Sequence, residues 1–159
     1  EMQFPFIKHI YPDCPVLPIM VGNLSNQTRE EVPRVLRSCL PPIDSPEKRV
    51  LFVLSSDFCH YGTRFNFTPA FPAASTISNG IREMDLSGFE SIKSNSVAAF
   101  KKYLSGTGNT VCGREVFLLF LQMIAEETPG TWHLLSYAQS KSVTVPSDSS
   151  VSYLSACLK

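Results

Sequence analysis

The segment Ser55–Gly62 (SSDFCHYG) contains the residues whose types and spacing are best suited to chemistry. Asp57 and His60 lie three positions apart in it, directly after the most apolar run of the chain. Sites in open α/β sheets collect beyond the carboxyl ends of strands. There Asp57 could orient the imidazole or accept a proton, and His60 could act as an acid or base near neutral pH. The spacing also suits a turn capped by Asp57 beside a packed histidine, and it leaves both interpretations open.

A second cluster is the segment Asn109–Glu115 (NTVCGRE). Cys112 lies at the start of a predicted helix, where the helix dipole stabilises a thiolate, and thiolates bind metals and attack electrophiles. Arg114 adds a positive charge nearby. The alternative for Cys112 is a small buried hydrophobic residue, the usual environment of a free cysteine. His9 and His133 are interpreted as ordinary residues of a helix and a strand.

The elements that must position these clusters follow from the apolar pattern. Arg49–Ser55 (RVLFVLS) is continuously apolar and β-branched, which predicts a central strand covered on both faces. Val16–Val21 predicts another buried strand, with Pro18 favouring an edge position. Late strands are predicted over Thr131–Gln139 and Val151–Leu158, where apolar and polar residues alternate. Helices are predicted over Thr28–Leu40, Ala74–Leu86, Phe89–Asn95, Val97–Leu104 and Arg114–Glu127, with Ser96 as a cap and Pro33 tolerated only in a first turn.

This order of elements predicts a layered α/β fold, with a mostly parallel central sheet flanked by helices and Arg49–Ser55 near its middle. The 159 residues are enough for one domain with a sizeable core. A net charge of zero and the lack of a long basic run argue against a nucleic-acid surface, and the apolar runs are too short for a membrane span. Five cysteines without a CxxC pair argue against a zinc ribbon and favour a reduced, cytoplasmic setting.

Four motifs occur in the order seen in the Memo family. They are SSDFCHYG at 55–62, TVCGRE at 110–115, SYAQS at 136–140 and DSSVSY at 148–153, and the opening EMQFPFIKHI and the LPIMVG at 17–22 agree with them. The agreement extends from one end of the chain to the other. The chain therefore resembles the Memo family over its whole length.

The resemblance implies a fold similar to that of the class III, LigB-type extradiol dioxygenases, whose non-haem iron is held by two histidines and a carboxylate. In Memo proteins the third ligand is a cysteine, which corresponds to Cys112. Asp57 and His60 match residues of the Memo pocket, and His60 corresponds to the acid/base of the dioxygenases. Arg114 and Tyr61 are expected to line that pocket. The resemblance further implies copper or iron, a redox role, and a cytosolic role in receptor tyrosine kinase signalling and cell motility.

One departure from the family pattern affects the metal site. The two histidine ligands of the family lie in an N-terminal half, in APHAGY-like and GPSHH-like segments that do not occur in this sequence. We therefore expect residues 1–159 to form the C-terminal half of a single Memo/LigB-like domain. Such a fragment would be inactive, could not complete a metal site alone, and would leave a sheet edge and an apolar face for a missing half or partner chain.

Three alternatives stay open beside a Memo-type metal-binding protein with a redox or signalling role. A ring-cleaving dioxygenase is disfavoured because the soft Cys112 thiolate suits copper better than a dioxygenase iron site. A phosphotyrosine-peptide module could use Arg114 and His60 to face an anion. A cysteine hydrolase could be built from Cys112, His60 and Asp57. The metal, the substrate and the peptide partner are not specified by the sequence.

Overall fold

A computed structural model describes residues 2–41, 50–125 and 130–159. Over these residues the fold combines helices with a small sheet, which confirms the predicted α/β composition. The helices are α1 (Phe4–Ile10), α2 (Asn26–Cys39), α3 (Ile77–Lys93), α4 (Val97–Thr107) and α5 (Arg114–Met123), and the strands are β1 (His60–Tyr61), β2 (Trp132–Gln139) and β3 (Ser150–Leu158).

The sheet has the order β1-β3-β2, and both strand pairs are antiparallel. The pairing of β2 with β3 runs from Trp132 opposite Leu158 to Gln139 opposite Ser152. The two late strands predicted from alternation are therefore confirmed. Between them, the Asp148 carboxylate accepts hydrogen bonds from the Thr144 and Val145 amides. These bonds, with the Lys141 ammonium, hold the pKa of Asp148 well below its usual range.

The prediction of a mostly parallel sheet centred on Arg49–Ser55 is wrong for the described residues. Arg49 lies outside them, and residues 50–55 form no strand; the Leu51 side chain is 70% exposed. The predicted strand Val16–Val21 is also absent, with Met20 99% exposed. A continuously apolar strand needs a hydrogen-bonding neighbour and cover on both faces. The described elements supply neither for these two segments.

Helix starts are set by side-chain caps. The hydroxyls of Ser25, Thr76 and Ser96 accept amide hydrogen bonds from the first turns of α2, α3 and α4. These bonds satisfy amides that have no partner inside the helix. The predicted helices at α2 and α4 are confirmed, with end points shifted by up to three residues.

Helix α3 is continuous where two helices were predicted. The expected break at Leu86–Gly88 is instead a close helix contact, because a Cβ at Gly88 would lie 2.6 Å from Tyr103 Cζ of α4.

Pro33 lies in the middle of α2 and is buried, so its expected first-turn position is wrong. Arg29, one turn earlier, makes a two-pronged salt bridge to Glu115 of α5, with both N–O distances 2.8 Å. Helix α5 ends at Met123, earlier than predicted, and Glu127, its predicted end, lies outside the described residues.

The apolar interior consists of two clusters. Phe58 belongs to the first, with Phe100 and Leu121, and Cys59 and Tyr61 belong to the second, with Ile81 and Val143. Consecutive residues of the 58–61 segment are thus buried in both clusters. This burial fixes the backbone on which Asp57 and His60 are carried.

Among the helices of the described residues, none is long and apolar enough to cross a membrane.

Candidate functional site

Two segments meet at the candidate site, and both are held by backbone hydrogen bonds. The Phe58 amide donates to the Ser152 carbonyl, and the Ser152 amide donates to the Cys59 carbonyl, both at 2.9 Å. The 57–61 segment therefore runs beside β3. On its other side the Cys112 amide donates to the Asp57 carbonyl at 3.3 Å. The first motif is thus fixed between β3 and the second motif.

The His60 imidazole has a defined orientation. Its Nδ1 lies 3.1 Å from the carbonyl oxygens of both Phe58 and Thr110. Because carbonyls only accept hydrogen bonds, we assign the proton of the neutral ring to Nδ1. Nε2 then faces Asp57 Oδ2 at 3.8 Å. Nε2 is therefore the ring nitrogen without a proton, and the Asp57 carboxylate lies beside it.

Cys112 is exposed, and its sulfur contacts the same segment as His60. The Asp57 amide donates to Cys112 Sγ at 3.0 Å, and Ser56 Oγ lies 3.8 Å from the sulfur. No hydrogen bond joins Cys112 to His60 in the described part of the chain. A cysteine hydrolase needs such a nucleophile–base contact, so the arrangement does not favour that alternative.

The residue after Cys112 has almost no space for a side chain. A Cβ at Gly113 would lie 2.5 Å from Ser56 Cβ and 2.8 Å from the Ser55 carbonyl oxygen. The Gly113 amide donates to Ser56 Oγ at 2.9 Å. Glycine is therefore the residue that lets the second motif approach the first this closely.

The two predicted pocket residues lie in different environments. Arg114 is exposed at the first residue of α5, next to the cysteine motif. Tyr61 is 2% exposed and packs in the second cluster, beneath the surface that carries Asp57 and His60. Burial raises the pKa of its phenol. The structure therefore brings Asp57, His60 and Cys112 together, while Tyr61 supports their backbone from inside.

A groove of about 700 Å³ lies elsewhere. It is apolar, and Val50–Leu54 line it together with Phe117 and Phe120 of α5 and Leu154 of β3. Asp57, His60 and Cys112 are not among its lining residues. The three side chains therefore share a surface and not this groove.

Sequence reasoning missed a buried carboxylate beneath the site. Asp85 of α3 is 0% exposed. Its Oδ1 accepts hydrogen bonds from the Cys59 amide at 3.2 Å and from Asn109 Nδ2 at 2.8 Å, and its Oδ2 accepts one from the Tyr137 hydroxyl at 2.9 Å. A carboxylate one helical turn after Ile81, on the inward face of the helix, was the signal that could have revealed it.

Burial raises the pKa of Asp85, because desolvation penalises its charged form more than the hydrogen bonds favour it. Burial and the nearby Asp85 charge also raise the pKa of Cys59 to about 12. Cys59 therefore stays a neutral thiol, and Cys112 is the only cysteine of the two described motifs that is accessible to ligands or reagents.

A metal ion in a protein needs several ligating side chains close together. In residues 2–41, 50–125 and 130–159, no three His, Cys, Asp or Glu side chains are grouped closely enough to hold one. Cys112 has the soft sulfur that copper prefers. It suits one position of a metal centre, and an ion bound there would need further ligands.

Comparison with known proteins gives the family. The profile of the family described as Memo-like protein matches residues 1–157. The chain belongs to the Memo family. It is 36% identical to the Protein memo-1 homolog of Caenorhabditis elegans, over 99% of the chain and 46% of that relative. It is 33% identical to Protein MEMO1 of Xenopus laevis, over 99% of the chain and 54% of the relative. The chain thus spans about half the length of these curated Memo relatives, and the predicted membership is confirmed.

Proposed function

We propose that this Memo-family chain takes part in a cytoplasmic, metal-dependent redox or signalling function, with Cys112 as a metal ligand and His60 and Asp57 as an acid–base pair. The observation that carries the proposal is the hydrogen-bonded surface cluster that two family motifs build from these three residues. The cluster combines an accessible sulfur, an oriented imidazole and a carboxylate.

Each side chain has a separate task in this proposal. The carbonyls of Phe58 and Thr110 hold His60 Nδ1, so proton exchange takes place at Nε2. Asp57 stabilises the charged ring. The Asp57 amide directs its N–H toward Cys112 Sγ, which orients the sulfur. When bound, copper or iron would supply the electron-transfer chemistry that these residues lack.

The remaining ligands are proposed to come from residues that correspond to the part of the relatives this chain does not cover. The apolar groove beside Val50–Leu54 supports this, because Leu51 and Val53 are 70% and 47% exposed there. Covering them would bury apolar surface and give Val50–Leu54 the neighbours that a strand needs. The layered, LigB-like fold with residues 1–159 as one half of a domain is part of this proposal.

Metal titration tests the proposal. We expect the chain alone to bind iron(II), copper(I) and copper(II) weakly by calorimetry and elemental analysis. Addition of the uncovered part of the C. elegans relative should produce stoichiometric binding, which Cys112→Ala abolishes and the matched control Cys14→Ala leaves intact. Tight binding by the chain alone that survives Cys112→Ala would show that the site is elsewhere. Groove occupation by a second copy of the chain would appear as a homodimer by light scattering.

A second candidate function is recognition of phosphotyrosine. The Arg64 guanidinium lies 4.4 Å from the centre of the Phe65 ring, and that ring lies edge-on to His60 at 5.2 Å. A cation and an aromatic ring beside an imidazole suit an aryl phosphate. Fluorescence anisotropy with a phosphotyrosine peptide and its unphosphorylated form tests this, with Arg64→Gln compared against Arg82→Gln. Equal binding of the two peptides would exclude this candidate.

A further inference from the structure

One oxygen of the Asp85 carboxylate joins the two motif segments from beneath. Asp85 Oδ1 accepts from the amide of Cys59, the neighbour of His60, and from the side chain of Asn109, the neighbour of Thr110. His60 and Thr110 are themselves joined, since the His60 amide donates to Thr110 Oγ1 at 2.7 Å. The two donors, Cys59 and Asn109, are thus chain neighbours of Phe58 and Thr110, whose carbonyls orient the imidazole.

A hydrogen bond from Asn109 connects the carboxylate to the second segment. Asn109 Nδ2 donates to both Asp85 Oδ1, at 2.8 Å, and the Tyr103 hydroxyl, at 2.6 Å. This orientation leaves Asn109 Oδ1 buried without a hydrogen-bond partner in the described structure. Leaving a buried oxygen unpaired is unfavourable. The amide keeps this orientation because the buried carboxylate needs its N–H donors.

The same carboxylate is also connected to the sheet. Its Oδ2 accepts from the Tyr137 hydroxyl of β2. The Tyr137 hydroxyl in turn accepts from Gln139 Nε2 at 3.0 Å and lies 3.2 Å from Ser152 Oγ of β3. Helix α3, both strands and both motif segments therefore meet at Asp85. Among the described residues no cation is paired with it, so neutral donors alone stabilise its charge.

We propose that Asp85 is a positioning residue of the site: its carboxylate holds the His60 segment and the Cys112 segment in register without contacting a ligand. This inference deepens the proposed function, because it names the residue on which the geometry of that cluster depends. Its test uses no metal and no peptide. Its failure is therefore distinguishable from failure of the proposed function.

Two substitutions at Asp85 separate positioning from packing. Asp85→Asn keeps an oxygen for the Cys59 and Asn109 donors, and the Tyr137 hydroxyl can rotate to accept from the new amide. Asp85→Ala leaves these donors buried without an acceptor. The first readout is the rate of iodoacetamide alkylation at Cys112, followed by peptide mass mapping with exposed Cys14 as an internal control. The second is the pair of ¹⁵N chemical shifts of the His60 ring, which report its tautomer.

We expect Asp85→Ala to raise the Cys112 alkylation rate roughly tenfold, because the sulfur is then no longer held against the Asp57 amide, and the loss of one hydrogen bond corresponds to about that factor. It should also move the His60 shifts away from the form with the proton on Nδ1. Asp85→Asn should stay within about twofold of the wild-type rate and keep the His60 shifts. Trp132→Phe is the matched control for general destabilisation, since it removes the bond to Asn95 and none to either motif segment.

Three results would overturn the proposal. One is a wild-type Cys112 rate together with wild-type His60 shifts in Asp85→Ala. Another is an effect of Asp85→Asn as large as that of Asp85→Ala. The last is an effect of Trp132→Phe of that same size. Should Asp85→Ala fail to fold, Asn109→Ala replaces it. That variant removes the connection from Asp85 to the Cys112 segment, together with the Asn109 bond to Tyr103, and leaves the bond from the Cys59 amide in place. An unchanged Cys112 rate in it contradicts the proposal equally.

Discussion

Two neighbouring segments, Val50–Leu54 and Asp57–Tyr61, contrast sharply in how the fold treats them. The first is the more apolar, yet Leu51 is 70% exposed and no described strand pairs with it. The second contains an aspartate and a histidine, yet Phe58 and Cys59 are at most 1% exposed and bonded to β3. Hydrophobicity therefore predicts which residues favour burial, whereas hydrogen-bond partners decide which segment is fixed.

The largest expected effect comes from substituting one phenylalanine in each segment and comparing the losses in free energy of unfolding. Phe58→Ala should lower the free energy of unfolding by about 3–5 kcal/mol, because it creates a cavity in the first cluster. Phe52, six residues earlier, is 40% exposed, and its ring centre lies 5.5 Å from that of Phe120. Phe52→Ala should cost only about 1–2 kcal/mol, since a large share of its surface stays in water. Urea unfolding of both variants measures the difference.

Similar losses in the two variants would contradict the contrast. They would show that Val50–Leu54 is packed as firmly in solution as the motif segment. Repeating the measurement with the uncovered part of a relative present sharpens the test. If that polypeptide covers the groove, the cost of Phe52→Ala should rise toward that of Phe58→Ala.

The sequence was sufficient where local chemistry decides the structure. The cap Ser96, the alternation in β2 and β3, and the placement of Cys112 at the start of α5 depend on nearby residues, and they were predicted. The meeting of the Asp57 and Cys112 segments was expected from the family motifs. Those motifs specify which residues approach but not the bonds that hold them.

The remaining features depend on contacts distant in the sequence. Asp85 looked like one polar residue in a helix, because its donors lie 26, 24 and 52 positions away. The continuity of α3 depends on Tyr103 filling the space above Gly88. The parallel sheet failed as a prediction because apolar character does not reveal whether a neighbouring strand is present.

The pH dependence of stability gives a second, smaller effect. The pKa of Asp85 is raised in the folded state, so the native state binds its proton more readily than the unfolded state. Stability should therefore fall as pH rises from the ordinary aspartate pKa to the raised one, with a slope of about 1.4 kcal/mol for each pH unit in that interval. Asp85→Asn lacks this titration. Its stability relative to wild type should improve as pH rises above the ordinary aspartate pKa.

The pH dependence of stability expected from Asp148 has the opposite sign. Its pKa is lowered, so its contribution is present above the ordinary aspartate pKa and is lost as pH falls. Asp148→Asn should therefore lose stability relative to wild type at neutral pH and match it in acid. Parallel pH profiles for the two variants would contradict the roles of burial at Asp85 and of hydrogen bonds at Asp148.

The smallest expected effect on stability comes from Leu51→Glu. Leu51 is 70% exposed, so the free energy of unfolding should change by less than about 0.5 kcal/mol. A charge in the apolar groove should nevertheless weaken any association through that face. Analytical ultracentrifugation of the chain with the uncovered part of a relative measures this. Unchanged association would place the contact on another surface.

Gly113 restricts how this protein can vary. Any side chain at that position would press on Ser56 and separate the two motif segments, so Cys112 would lose the Asp57 amide although the cysteine itself is unaltered. Substitutions at 113 would thus detach Cys112 from the Asp57 segment without altering its sulfur. The position that carries no side chain therefore limits the site as much as the cysteine beside it.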